Sequence, residues 1–298
     1  MILSDNVRAA LFMMTSMTAF TVNDTFMKLA SPDVPFFQAI TLRGMMITLG
    51  LFVMAYLRGQ LRYRPNRRDW GLISLRTVAE AVGTVFFLTA LFKMPIANLS
   101  AILQALPLTV TLAAALFFRE PVGWRRLTAI LIGFVGVVMI VQPGTEGFSI
   151  YSVFGIGAVV AVTVRDLGSR RLSREIPSGV VALAAAIGVT VMAALAGAGT
   201  AWVMPPAMAM VELAAAAVAL MIGYVSAVSA MRTGDIGFVA PFRYMSLMVA
   251  LVLGWFVFGE WPNALTLAGG ALVVATGLFT LYREHASAQT ATAGLRIR

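Results

Sequence analysis

The 298-residue chain has no cysteine and a single histidine, His285. Disulfides, iron–sulfur clusters and thiol chemistry are therefore excluded. No histidine lies in an apolar segment, where it might serve a catalytic triad or a soft metal site. Lysine is almost missing too. Only Lys28 and Lys93 occur and neither follows a glycine, so the G-x-x-x-x-G-K-[ST] phosphate loop is absent. The chain is accordingly read as a non-enzyme, with no catalytic residue, metal or cofactor. Charge is scarce as well. Charged residues make up 12% of the chain, against about 25% in an ordinary soluble domain. That scarcity excludes a disordered chain.

What is present is apolar. Hydrophobic residues form 60% of the chain and the mean hydropathy is +0.89. Ten apolar segments run over 9–30, 36–57, 70–92, 96–118, 124–142, 151–167, 178–202, 208–231, 236–258 and 263–282. Most reach the roughly 17–25 residues that a helix needs to cross a bilayer. An open sheet leaves its edge groups unsatisfied in lipid, and alternating barrel strands are not seen. The first segment is too long for a signal peptide and carries Asn23 and Asp24. The fold class expected is an all-α polytopic membrane protein of ten transmembrane helices.

The net charge of +9 sits in short connections between apolar runs. This is a membrane-topology pattern rather than a nucleic-acid face. Seventeen of the 22 basic residues fall on one side, from Arg8 through Arg58–Arg68, Arg119–Arg126, Arg165–Arg174 and Arg232 to Arg283–Arg298. The positive-inside rule places both termini in the cytoplasm.

The chain repeats itself. Ala19–Pro35 aligns without gaps on Ala161–Pro177 at an offset of 142, matching Asp24 to Asp166 and Lys28 to Arg170. Ala90–Phe118 and Glu120 align on Ala230–Phe258 and Glu260 at an offset of 140. Each copy holds five spans. Five is odd, so the second copy enters the membrane from the other side. Such inverted repeats are a recurring build of secondary transporters. The halves are residues 1–142 and 151–283, followed by a cytoplasmic tail, 284–298.

Charged residues inside spans are costly and mark partners or pathways. Asp24 and Lys28, like Asp166 and Arg170, are spaced i,i+4. Such pairs either support their helices by about 0.2–0.5 kcal/mol or, placed at opposite faces by the inversion, form outer and inner gates. Arg43 lies at a depth similar to Asp24 across the Pro32–Pro35 turn, as a structural partner or as an anion-attracting site. Glu80, one turn from Arg76, is the most deeply placed acid. It suits a neutralised pair, a proton-coupling carboxylate or a substrate contact. Gln104 before Pro107, and Arg243 and Tyr244 after Pro241, occupy matched polar interruptions and suit a cavity wall. Counting Lys28, Arg43, Arg76 and Arg243 against Asp24 and Glu80 leaves a cationic excess. That excess favours a zwitterionic, anionic or acceptor-rich solute.

Taken together, the two five-span halves, Asn23-Asp24…Lys28, Arg43, the glutamates after Leu116-Phe-Phe and Phe256-Val-Phe, and the glycine-bearing final spans resemble the ten-helix drug/metabolite transporter superfamily with EamA-type domains. Asp24-x-x-x-Lys28 and Arg165–Leu172 look most like the bacterial subgroup that includes riboflavin importers. The resemblance implies an inner-membrane secondary transporter working by alternating access, with a riboflavin-like vitamin as substrate. Amino-acid or related metabolite export, S-adenosylmethionine carriage and lipid-linked sugar flipping stay open. Expected partners are a small-molecule substrate and membrane lipid, not nucleic acid, with the chain a monomer or homodimer.

Overall fold

The computed structural model describes residues 4–295 except 121, 146–147, 174 and 234–235, and the side chains of all described residues outside 236–237 and 284–295. The described residues are helical with short connections. The helices are α1 (Asp5–Ala30), α2 (Phe36–Leu57), α3 (Arg67–Leu91), α4 (Ile96–Leu103), α5 (Leu106–Phe118), α6 (Trp124–Val141), α7 (Tyr151–Arg170), α8 (Ser178–Gly197), α9 (Ala207–Thr233), α10 (Ile236–Val239), α11 (Met245–Phe258) and α12 (Ala264–Leu295). The ten expected spans are all present, two of them broken. The helical backbone runs through most of the segment read as a tail, up to Leu295. Arg174, Arg296 and Arg298 lie outside the described residues.

Local chemistry sets the helix starts. The Ser4 hydroxyl accepts the Val7 amide at 3.4 Å, and the Asn66 carbonyl oxygen accepts that of Asp69 at 2.8 Å. Pro35, Pro95 and Pro177 occupy the N-caps of α2, α4 and α8, where an extended backbone turns into the helix. Nine of the described spans are long and apolar enough to cross a membrane by composition. The exception is α1, whose 26 residues include Asp5, Arg8, Asp24 and Lys28. It is held instead by packing, chiefly along α9 and against the α11 segment. The protein is a multi-pass membrane protein.

The packing maps onto itself when the halves are exchanged. The contact of α1 with α9 has its counterpart in α7 with α3. The contact of α1 with the α10–α11 segment corresponds to that of α7 with α4–α5. The α2–α8 and α6–α12 contacts are each their own counterpart. Thr48 and Thr190, 142 residues apart, meet hydroxyl to hydroxyl at 3.4 Å where α2 crosses α8. A residue that touches its own equivalent lies on the pseudo-two-fold axis.

The fourth and ninth spans break at matched places. Between α4 and α5 the chain turns through Gln104 and Ala105, with Pro107 in the first turn of α5. In the ninth span, Ala240–Tyr244 is a 3-10 stretch holding Pro241. Proline lacks the N–H that an unbroken helix requires. Both spans then end in one cap. Arg119 and Gly259 take left-handed φ of 55° and 65°. The next amides, Glu120 and Glu260, reach back to the carbonyls of Ala114 and Gly254 at 3.5 and 2.9 Å. This is a Schellman turn, and it fixes where each glutamate emerges.

The core runs along one face of each half, through Met27, Leu88, Leu99, Ile102, Leu108 and Leu213. Close approach of α6 and α12 depends on glycine. A Cβ at Gly269 would meet the Gly136 carbonyl and the Ile140 and Met139 side chains. Gly269→Val is therefore expected to destabilise the protein by about 1–3 kcal/mol, the usual cost of overpacking. Gly71→Ala, with no neighbour in reach, is the neutral control. Unfolding of purified protein in detergent measures both.

Candidate functional site

The intramembrane charges form two clusters at different depths. The first joins α1 to α2. Arg43 Nη1 donates to Asn23 Oδ1 at 3.0 Å, and Asn23 Nδ2 donates to Asp24 Oδ1 at 2.8 Å. Asn23 is buried and Arg43 is only 8% exposed. The direct Asp24–Arg43 pairing expected from depth is thus replaced by a link through an amide.

The second cluster joins α3 to α7. Arg165 Nη1 donates to both Glu80 oxygens at 3.1 and 3.3 Å, and Arg76 lies 3.7 Å from the same carboxylate. Arg165 also holds Asp166 at 2.9 Å, and Arg76 Nε donates to Ser169 at 3.0 Å. Glu80 therefore sits between two guanidinium groups. Two corrections follow. The cluster Arg165–Arg174 groups Arg165 with a connection, although the apolar run 151–167 contains it. The helix continues to Arg170, which carries Arg165 inside. Asp166 pairs with this neighbour rather than with Arg170 one turn on. Tyr224 of α9 lies between the clusters, within electrostatic reach of Glu80, Arg165, Arg76 and Arg43. It meets Phe20 edge-on at 5.6 Å. No charge pattern in the sequence singles out this tyrosine.

Lys28 does not pair with Asp24 either. Its ammonium reaches Glu260 Oε1 at 2.6 Å and Oε2 at 2.9 Å, donates to the Met94 carbonyl at 2.9 Å, and lies over the Phe258 ring. Glu260 in turn accepts the Ile96 amide at 3.2 Å. At the arginine-rich end, Arg170 faces Glu120 at 3.7 Å. These two pairs are equivalents, since Lys28 matches Arg170 and Glu260 matches Glu120. They differ in tightness. The Lys28–Glu260 side chains are 11% and 26% exposed, the Arg170–Glu120 side chains 46% and 54%.

The broken spans place their polar residues unevenly. Gln104 is buried and donates to Ser246 on the partner span at 3.1 Å. Tyr244 is buried, its hydroxyl against Gly277 and without a hydrogen-bond partner. Arg243 is exposed and has no ion-pair partner among the described residues. The interior balance changes accordingly. Arg43, Arg76 and Arg165 stand against Asp24, Glu80 and Asp166, so the cationic excess read from the sequence disappears. Glu212, buried near the start of α9, also went unnoticed in the sequence. A groove of about 440 Å³, lined by Leu11, Thr15, Thr18, Val22, Ile222 and Met245 among others, includes none of these charged residues. At 100° per residue those α1 positions lie opposite Asp24. No cluster of metal-ligating side chains exists among the described residues.

Residues 7–142 match the EamA-like transporter family. The chain carries an EamA-like transporter domain. This EamA-like chain is 27% identical to a riboflavin transporter of Vibrio cholerae, over 92% of each. It is 22% identical to an S-adenosylmethionine uptake transporter of Rickettsia felis, over 90% of each. It is 27% identical to a pseudopaline exporter of Pseudomonas aeruginosa, over 86% of this chain and 89% of that one. A solved crystal structure 20% identical in sequence shares the fold, with a TM-score of 0.63 over 90% of this chain and 94% of that one. These relatives are named as transporters of small metabolites.

Removing one member of a buried ionic cluster leaves its partners uncompensated, at a typical cost of 3–5 kcal/mol. Glu80→Gln is expected to destabilise the protein by about that amount, and adding Arg165→Gln to restore part of the loss. Denaturant titration of the single and double variants in micelles measures both.

Proposed function

We propose that the protein is a secondary carrier of the bacterial inner membrane that works by alternating access, with both termini cytoplasmic. One observation carries this reading. Two clusters of charge lie inside the bundle, one at Arg43 on α2 and one at Arg165 on α7, with the Tyr224 and Phe20 rings in edge-on contact beside them. Buried charge at this density is costly in a purely structural bundle and useful in a solute pathway. With the arginines and acids balanced, the path suits a neutral aromatic or a zwitterionic solute rather than an anion. A riboflavin-like vitamin, imported, is our first assignment, supported by the riboflavin transporter relative. The equal mixture of charges also supports an amino-acid-like zwitterion. Arg43, Arg76, Glu80, Gln104 and Tyr244 are assigned to the solute path, and Arg243 to its mouth at the arginine-rich end. That the relatives are named transporters supports the non-enzyme reading.

The gate residues are Lys28 and Arg170, each latched by the glutamate that follows a Schellman turn in the other half. Asp24 and Asp166 lie one turn deeper. The tight Lys28–Glu260 latch and the loose Arg170–Glu120 latch suit a state closed at the first end and opening at the arginine-rich end.

Two measurements test this reading. Counterflow in proteoliposomes with labelled riboflavin, aromatic and aliphatic amino acids and S-adenosylmethionine should show saturable exchange of one compound. Exchange of none of them by folded protein overturns the substrate assignment. Because the chain lacks cysteine, single cysteines report the gates directly. Thr25→Cys and Leu167→Cys are buried, equivalent positions below the two latches. Glu260→Gln should raise labelling of the first and lower labelling of the second. Glu120→Gln should change both little, since its latch is already loose. Identical effects of the two glutamine variants would refute the gates.

A further inference from the structure

Three acids lie within the two charge clusters, and they are not equally held. Glu80 is clasped by Arg165 and Arg76, and Asp166 by Arg165. Both have an arginine as counter-charge. Asp24 has no ion-pair partner among the described residues. Its one hydrogen bond comes from the neutral Asn23 amide. Its equivalent in the second half, Asp166, has an arginine where Asp24 has this asparagine. The inverted symmetry thus broke in a way that left one acid without a cation.

The same cluster contains an incomplete arginine. Arg43 is buried, its Nη1 goes to Asn23, and its Nε–H has no partner. A buried guanidinium donor without an acceptor is costly. Asn23 connects the two deficits, since its oxygen accepts from Arg43 and its nitrogen donates to Asp24. The other neighbours supply no relief. Arg43 on α2 is the charge within electrostatic reach of Asp24. On α1 itself, Lys28 is taken by Glu260. On α9, Tyr224 stands near Arg43, and Glu212 lies beside Asp33 at the end of the bundle. The α11 helix carries no ionisable side chain, Arg243 before it is exposed, and Tyr244 packs on α12.

We propose that Asp24 is the coupling-proton site of this carrier and that the free edge of Arg43 takes a carboxylate or imide-type acceptor of the solute. The proposal rests on the transport reading above. With Asp24 ionised, its negative charge offsets Arg43 through the Asn23 amide. One proton converts the carboxylate to a neutral carboxyl. Arg43 is then an uncompensated cation with a vacant donor, and it draws the solute acceptor. Loss of the proton restores the internal counter-charge and displaces the solute. Proton and solute therefore favour each other's binding, which is symport. Glu80, fixed between two arginines, positions α3 against α7.

The test has a readout that needs no solute. Difference infrared spectra of purified protein, acidified against alkaline, should show a neutral-carboxyl band. The band should vanish in Asp24→Asn and persist in Glu80→Gln and Asp166→Asn. Its absence from the native protein, or its survival in Asp24→Asn, overturns the proposal. In proteoliposomes, using whichever compound of the panel exchanges, an inward proton gradient should stimulate uptake roughly tenfold, within the usual range of coupling between two ligands. Asp24→Asn should abolish that stimulation while retaining counterflow, and Arg43→Lys should weaken both. Stimulation of Asp24→Asn equal to that of the native protein overturns the assignment. Counterflow absent even from native protein that shows the infrared band would instead count against the transport reading.

Discussion

An ion inside lipid must be matched, and this requirement shapes the molecule. Each unmatched charge at mid-membrane costs about 2.5–3.5 kcal/mol on insertion scales. The protein's two charge clusters hold three arginines and three acids within its spans, and most of the matching is between helices rather than along one. Glu80 needs α7 to supply Arg165, and Arg43 needs α1 to supply Asn23. Helix α1 is thereby fixed against α2, and α3 against α7. The polar helix α1 can be accommodated in lipid because α9 and the α11 segment enclose it.

Flexibility is placed elsewhere. The fourth and ninth spans break at proline-bearing segments, and each then closes in a left-handed turn that delivers a glutamate to a basic residue of the opposite half. A break in mid-span gives a helix two segments that can tilt separately. The latch at its end ties that tilt to α1 or to α7, the helices that carry Asp24 and Asp166. The proposed path and gates are therefore joined through α1 and α7.

Much of this was legible in the sequence. Apolar runs gave the spans to within a few residues, because lipid imposes length and composition on every segment. The repeat was visible because Asp24–Lys28 and Asp166–Arg170 survive in aligned, otherwise apolar segments. The partners of those residues were not legible. An i,i+4 spacing makes a pair available, but Lys28 reaches Glu260, 232 residues away, because the Schellman turn carries that carboxylate under it. Arg165 was assigned to a loop because a cluster of arginines resembles a helix end, whereas α7 runs one turn further. Tyr224 and Glu212 were missed because one polar residue in an apolar helix shows no face until its neighbours are known.

The contact between Thr48 and Thr190 has a consequence of its own. If the two halves exchange shapes, every contact is converted into its counterpart, and the Lys28–Glu260 latch trades places with Arg170–Glu120. A contact between a residue and its own equivalent is converted into itself. The α2–α8 crossing is therefore a stationary point of such an exchange. Like the α6–α12 crossing, it maps onto itself, so an exchange of the two halves leaves that hydroxyl contact in place.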